Sequence, residues 1–244
     1  MKDNFSNHSA DYARFRPGYP PQFFDFLFSL CQHFDTAWDA ATGNGQIAVG
    51  LAERFQRVFA TDISANQLAN AHAWSNVHYA VGAAESPDFP DHCFDLVTVG
   101  QAVHWFQFED FYQAVRRVLK PGGVLALVGY NVLKVDAPTD AIFDQLYHET
   151  LEGYWDVERH YVDDAYATIP FPFEEVPLPE MTMTYSWSLE QLLGYLNTWS
   201  AVKRFVEKNG RSPLDVDFVA ALRLFWADNE VKMIHFPIFA RIGR

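Results

Sequence analysis

The segment Asp39-Ala40-Ala41-Thr42-Gly43-Asn44-Gly45 limits the folds open to this chain more than any other feature. It follows a short strand-like run, Thr36–Ala40, and precedes Ile47–Phe55, whose apolar residues recur at helical spacing. Glycines at a strand-to-helix turn let the backbone approach a ligand with no Cβ in the way. The first turn of the following helix also offers amide N–H groups without intrahelical partners, which suit a carboxylate or phosphate. Such a turn belongs to an open sheet whose strands end at a ligand.

The flanking pattern agrees. Arg57–Thr61 reads as a second strand ending at Asp62, and Ser64 is placed to cap a helix over Ala65–Ala73. Val77–Val81 and Phe94–Val99 read as third and fourth strands, the latter almost continuously apolar, as a strand buried on both faces must be. Phe108–Leu119 has helical periodicity and stops at Lys120-Pro121-Gly122-Gly123, before a fifth strand, Val124–Tyr130. Strands alternating with helices predict an α/β, Rossmann-like fold: a mostly parallel, seven-stranded sheet with helices on both faces. After Tyr130 the rhythm changes. A helix is expected over Pro138–Gly153, then a connection punctuated by Pro170, Pro172, Pro177 and Pro179. A strand over Met181–Trp187 and helices near Leu189–Trp199, Ala201–Lys208 and Val216–Asp228 follow. The last strand, Val231–Ile242, is expected to pair with Met181–Trp187 at the sheet edge. Near the start, Pro17, Pro20 and Pro21 precede an apolar helix over Phe23–Gln32. The expected organisation is one domain over 1–244. Within it, 1–20 is a lid, 21–130 a ligand-binding core, 131–230 a helical cap with an edge strand, and 231–244 the final strand.

Composition narrows the function. The 244 residues are 49% hydrophobic and 20% charged, which suits a globular domain with a substantial core. A formal net charge of −13 opposes the phosphate backbone, so no nucleic-acid partner is expected. No stretch approaches the roughly 20 apolar residues of a membrane span, and the polar first residues do not resemble a secretory signal. A cytoplasmic location is therefore expected, with no membrane partner. Cys31 and Cys93 form no Cys-x-x-Cys pair, and the nine histidines lack ligand spacing, so no metal site is expected.

Two cofactors could occupy the glycine turn. Gly43-x-Gly45-x-x-Ala48, with Asp62 downstream, fits a dinucleotide fingerprint and so an NAD-binding oxidoreductase. With Asp39 included, the turn is similar to the Asp-x-Gly-x-Gly-x-Gly motif of class I S-adenosylmethionine-dependent methyltransferases, with Ala41 in place of the first glycine. Asp62 suits the ribose of either cofactor. Gly82-Ala83-Ala84-Glu85 after strand three, Phe94-Asp95 opening strand four and Leu119-Lys120-Pro121-Gly122-Gly123 before strand five all resemble the methyltransferases, in their order and spacing. Tyr12–Pro20, Ala102-Val103-His104-Trp105-Phe106 and Phe236–Arg241 further resemble the trans-aconitate methyltransferase-like branch of the type 11 family.

The resemblance implies S-adenosyl-L-methionine as cofactor and a set of roles. Asp39 belongs to the motif, and Ala41, Gly43 and Gly45 would approach the methionine part. Asp62 would hold the ribose, Ile63 would pack on the adenine, and Ala84 and Glu85 would border it. Gln101 and Ala102 would lie beneath the sulfonium, with Tyr12 and Arg16 closing over it. His104 is the candidate catalytic residue and Trp105 the candidate substrate contact. A small-molecule acceptor, with a carboxylate among the options, fits the acidic composition and the cap. Each role has a plainer rival: Asp62 as a helix cap, Arg16 in a surface ion pair, His104 as a satisfied core histidine. The rings of Tyr154, Trp155, Tyr161, Trp187 and Trp199 read mainly as core. A cofactor-binding regulatory module without turnover is the non-enzymatic alternative.

Overall fold

Strand β1 (Thr36–Ala40) is buried at every position, so the sheet must be covered on both faces at its centre. A computed structural model, which describes residues 18–244, shows how. After helix α1 (Pro21–Leu30), β1 leads through the glycine turn into α2 (Gln46–Ala52). The alternation continues through β2 (Arg57–Asp62), α3 (Ala65–Ala69), β3 (Val77–Val81) and β4 (Phe94–Gly100). A single 3-10 turn (Val103–Trp105), α4 (Phe108–Val118) and β5 (Leu119–Tyr130) complete the first half. The cap consists of α5 (Ala137–Gln145), a π-helical turn (Leu146–Thr150) and α6 (Arg159–Asp163). It is followed by β6 (Met181–Ser188), helices α7 (Leu189–Asn197), α8 (Ser200–Asn209) and α9 (Val216–Arg223), and β7 (Val231–Gly243).

The seven strands lie in the order β3-β2-β1-β4-β5-β7-β6. β1 through β5 are parallel, and β7 runs antiparallel to both β5 and β6. The expected β6–β7 pairing at the edge is present, with Met181 opposite Ile238 and Ser188 opposite Val231. One apolar layer packs α1, α2 and the cap against the sheet around Phe23, Leu51, Leu96 and Phe236. The other packs α4 around Trp38, Phe94, Phe111 and Tyr166.

Several boundaries differ from the periodicity: β5 begins at Leu119, not Val124, and α9 ends at Arg223, not Asp228. The helix expected over Ala65–Ala73 is capped by Ser64 Oγ, which accepts the Gln67 N–H, but ends after Ala69. The helix expected over Pro138–Gly153 changes into the π-helical turn after Gln145. α6 has no counterpart in the sequence reading, because five residues are too few to show a period. The lid expected over 1–20 falls, for residues 1–17, outside the described residues. At its end, Gly18 N–H donates to Tyr185 Oη (2.7 Å), and that hydroxyl donates back to the Gly18 carbonyl (2.7 Å).

At the amino ends of β1, β4 and β5, a polar knot sets the strand register. Asp95 Oδ2 accepts the amides of Asp35 and Thr36, and its Oδ1 pairs with Lys120 Nζ at 2.8 Å. Lys120 also reaches Asp35 (3.0 Å). The Phe94-Asp95 and Lys120-Pro121-Gly122-Gly123 segments are thus fixed by architecture, at the end of the sheet far from the glycine turn.

Candidate functional site

Asp62, Ala84 and Gln101 end or follow three parallel strands, and Ala41 follows a fourth, so all lie at one edge of the sheet. The strand order reverses between β1 and β4, which makes the crevice above them the place where an open α/β sheet takes a ligand. The turn after β1 is built for close approach. Ala41, Gly43 and Gly45 all have left-handed backbones, with φ of 54°, 58° and 86°. A Cβ on Gly43 would meet nothing within 4 Å, whereas one on Gly45 would strike the Tyr79 ring. Ala41 explains how this chain departs from glycine: its single methyl accepts a conformation that costs an L-residue roughly 1–2 kcal/mol.

Two carboxylates shape that turn. Asp39 is 1% exposed and lies under it, accepting from Thr98 Oγ1 (2.7 Å), Thr42 Oγ1 and the Ala48 amide. Burial pushes its pKa up to about 6, against the pull of these hydrogen bonds. Asp39 therefore props the turn from below and does not line the crevice. Asp62 Oδ2 accepts the Gly43 amide (2.9 Å) and its Oδ1 the Ser64 amide (2.8 Å), so its carboxylate is aimed by both neighbouring turns. Asn44 Nδ2 is buried and has no partner among the described residues. An open Gly43 and an aimed carboxylate fit a small ligand carrying hydroxyl groups.

Beside this crevice, a cavity of about 50 Å³ opens between the ends of β4 and β5 and the cap. Its walls are rings: Trp105, Tyr130, Trp155, Tyr195 and Trp199. Gln101 is locked there, its Nε2 donating to the Tyr130 carbonyl (3.1 Å) and its Oε1 accepting the Tyr130 amide (3.0 Å). That clamp holds Gln101 at φ 53°.

His104 is 7% exposed, with Nδ1 3.3 Å from Tyr166 Oη. Burial, together with the nearby Arg159 cation, lowers its pKa to about 3, while Glu158 pulls the other way. It is a neutral imidazole and a poor proton acceptor at neutral pH.

Arg159 and Asp156, both on the cavity wall, escape sequence reasoning. Arg159 Nε donates to Tyr147 Oη (2.8 Å) and Asp163 Oδ1 (3.2 Å), and its guanidinium stacks over Trp155 at 5.2 Å. Burial works against its charge, but Tyr147 and Asp163 more than offset this, so the cation persists. Neither terminal nitrogen has a hydrogen-bond partner among the described residues. The π-helical turn brings Tyr147 to this position, a local distortion often found at functional sites. Asp156 accepts from Arg204 Nη2 (2.6 Å) through Oδ1, and its Oδ2 is buried with no partner among the described residues.

Of the expected site residues, Ala41, Gly43, Gly45, Asp62, Ile63, Ala84, Glu85 and Ala102 follow the carboxyl ends of β1 to β4, and Gln101, His104 and Trp105 line the cavity. Glu85 Oε1 accepts the Gln107 amide (3.3 Å). Tyr12 and Arg16 lie outside the described residues. Of the rings read mainly as core, Trp187 and Trp199 are buried in it and Tyr154 and Trp155 pack against it, while Trp155 and Trp199 also line the cavity.

This sheet order, with a glycine turn after β1 and an aimed acid ending β2, defines the Rossmann-like class I methyltransferase fold. A family profile described as a methyltransferase domain matches residues 38–127. A candidate methyltransferase of Dictyostelium discoideum is 33% identical over 99% of this chain and 95% of its own. An uncharacterised methyltransferase of Schizosaccharomyces pombe is 29% identical over 87% of this chain and 85% of its own. The solved structure of a candidate type II methyltransferase from Anaeromyxobacter dehalogenans is 38% identical, with a TM-score of 0.88, covering 94% of this chain and 98% of that one. The chain belongs to the methyltransferase family, and that class implies S-adenosylmethionine as methyl donor. The oxidoreductase reading of the glycine turn is set aside on these grounds. Among the described residues, no helix is long and apolar enough to cross a membrane.

Proposed function

We propose that this methyltransferase acts on a small-molecule carboxylate, held in the cavity beneath the cap. The observation that carries the reading is Arg159: a cation on the cavity wall, its side chain 24% exposed, with neither terminal nitrogen hydrogen-bonded among the described residues. A guanidinium fork matches a carboxylate in two parallel hydrogen bonds. On the cofactor side, Ala41, Gly43 and Gly45 give room for the methionine part and Asp62 for the ribose hydroxyls. Ile63, Ala84 and Glu85 would border the adenine, and Gln101 and Ala102 would lie on the sulfonium side. Bound S-adenosylmethionine supplies an activated methyl group. The chain's contribution is alignment and exclusion of water.

An ionised carboxylate has no proton to lose, so no general base is required. That agrees with a His104 kept neutral and weakly basic. In this reading His104 and Trp105 shape the wall beside the acceptor, and His104 carries no proton in the reaction. Turnover of methyl-labelled S-adenosylmethionine against a library of small acids, alcohols and amines, read by product mass, tests the proposal. Methylated acids are expected, and Arg159→Leu should abolish them. Products confined to alcohols or amines, unaffected by Arg159→Leu, would overturn it. Cofactor binding without any product would favour the regulatory alternative.

A further inference from the structure

One hydroxyl fixes the chain where it passes Gly18 and Tyr19. Tyr185 Oη accepts the Gly18 amide and donates to the Gly18 carbonyl, each at 2.7 Å. Tyr185 sits on β6 with its ring against Trp187 and Phe236, and burial raises its pKa, so the hydroxyl keeps its proton. A clamp on both polar groups of one glycine sets the direction in which the next side chain leaves the backbone. That side chain, Tyr19, packs against Phe23 (5.1 Å between ring centres) and edge-on to Tyr130 (6.5 Å), a wall of the cavity under the cap. Its hydroxyl stands over the end of β4: a Cβ on Gly100 would strike Ile47, in the first turn of α2, and lie 3.5 Å from Tyr19 Oη. Asp39 pairs with Thr98, and two residues beyond them come Ala41 and Gly100. Tyr19 Oη therefore lies where the glycine turn and β4 part, on the border between the crevice and the cavity.

A methyl group passing from crevice to cavity must cross that border, and on a sulfonium it carries part of the positive charge. A hydroxyl oxygen presents the opposite partial charge. We infer that Tyr19 is a further cofactor-binding residue, its hydroxyl oxygen set against the methyl end of the sulfonium, and that Tyr185 is the positioning residue that holds it there through Gly18. A C–H···O contact to a neutral group is weak, and a charge on one partner strengthens it. The demethylated product, S-adenosylhomocysteine, has lost both the methyl and the charge, so Tyr19 favours the donor over the product. This inference rests on the crevice above β1 and β4 being the cofactor site, and it is independent of which acceptor the cavity takes.

The test is calorimetry of the full chain with S-adenosylmethionine and with S-adenosylhomocysteine. Tyr19→Phe keeps the ring against Phe23 and Tyr130 and removes only the hydroxyl. It should weaken S-adenosylmethionine about three- to tenfold and leave S-adenosylhomocysteine within about twofold. Tyr185→Phe keeps its own ring packing and releases Gly18, and it should shift the ratio of the two affinities in the same direction. The double variant should shift that ratio no further than Tyr19→Phe does, because the two residues act through one contact. Equal losses for both ligands in Tyr19→Phe, or none for either, would overturn the placement of Tyr19 at the sulfonium. A Tyr185→Phe variant that melts earlier with the ratio unmoved, or shifts that add in the double variant, would remove Tyr185 from the positioning of Tyr19. A wild type that binds neither ligand would overturn the cofactor reading itself, and with it this inference.

Discussion

Asp62 Oδ2 and the Gly43 amide are 2.9 Å apart, so the acid that ends β2 also fixes the turn that follows β1. The same carboxylate accepts Ser64 N–H through its other oxygen. Asp62 is thus a brace between two turns and not the helix cap, since Ser64 does the capping. Asp62→Ala should weaken S-adenosylhomocysteine binding by about 1–3 kcal/mol, through lost ribose contacts and a loosened turn. Calorimetry on a folded variant checks this, and an unchanged affinity would reduce Asp62 to a turn support.

The two glycines of the turn should separate folding from binding. Gly43 is open, so Gly43→Ala adds a methyl into the crevice at a strain of roughly 1–2 kcal/mol for its left-handed backbone. Cofactor affinity should fall by tenfold or more while the protein stays folded. Gly45→Ala meets the Tyr79 ring and a φ of 86°, and should lower thermal stability more than Gly43→Ala does. Paired melting and binding measurements decide, and equal melting losses would contradict this division.

The cofactor half was legible because its constraints are local. The Asp39–Gly45 turn, Asp62 and the Ser64 cap all follow from neighbours within a few residues, and strand burial shows as apolar runs. Phe94-Asp95 and Lys120-Pro121-Gly122-Gly123 were legible as a signature, but their work is structural: the Asp95–Lys120 pair locks strand starts. The acceptor half was not legible in the same way. Arg159 is held by Tyr147, from a turn 12 residues earlier, which takes its Nε. No periodicity encodes that pairing. Only folding buries the second oxygen of Asp156.

His104 predicts the sign of an acid effect on stability. Its pKa falls from 6.5 unfolded to about 3 folded, so the unfolded chain binds the proton first. Stability contributed by neutral His104 is present above pH 6.5 and is lost as pH falls towards 3. At pH 4 the wild type should have lost about 3 kcal/mol more than His104→Gln, relative to pH 7. Asp39 acts in the opposite sense between about 4 and 6, because its folded pKa is raised, but it is common to both proteins and cancels in the difference. Denaturant unfolding across this range reads the result, and parallel curves would mean that His104 is open to water.

The Tyr147 hydroxyl provides the sharpest test of how the acceptor is held. It accepts from Arg159 Nε (2.8 Å) and donates to Asp163 Oδ1 (2.7 Å), while its ring, 5% exposed, packs against Trp155 and Trp199. Tyr147→Phe keeps the ring and removes the bridge. Asp163 still reaches Nε at 3.2 Å, so Arg159 retains a partner and loses one of its two anchors. The fork facing the cavity should then sample more orientations. Acceptor KM should rise about three- to tenfold, with kcat within twofold, because binding to ground and transition state weakens together. Cofactor affinity should not change, since Tyr147 does not follow any of the strands that carry the glycine turn and Asp62. A merely structural role would appear as a lower melting temperature with KM unmoved, and that outcome would remove Tyr147 from the positioning of Arg159.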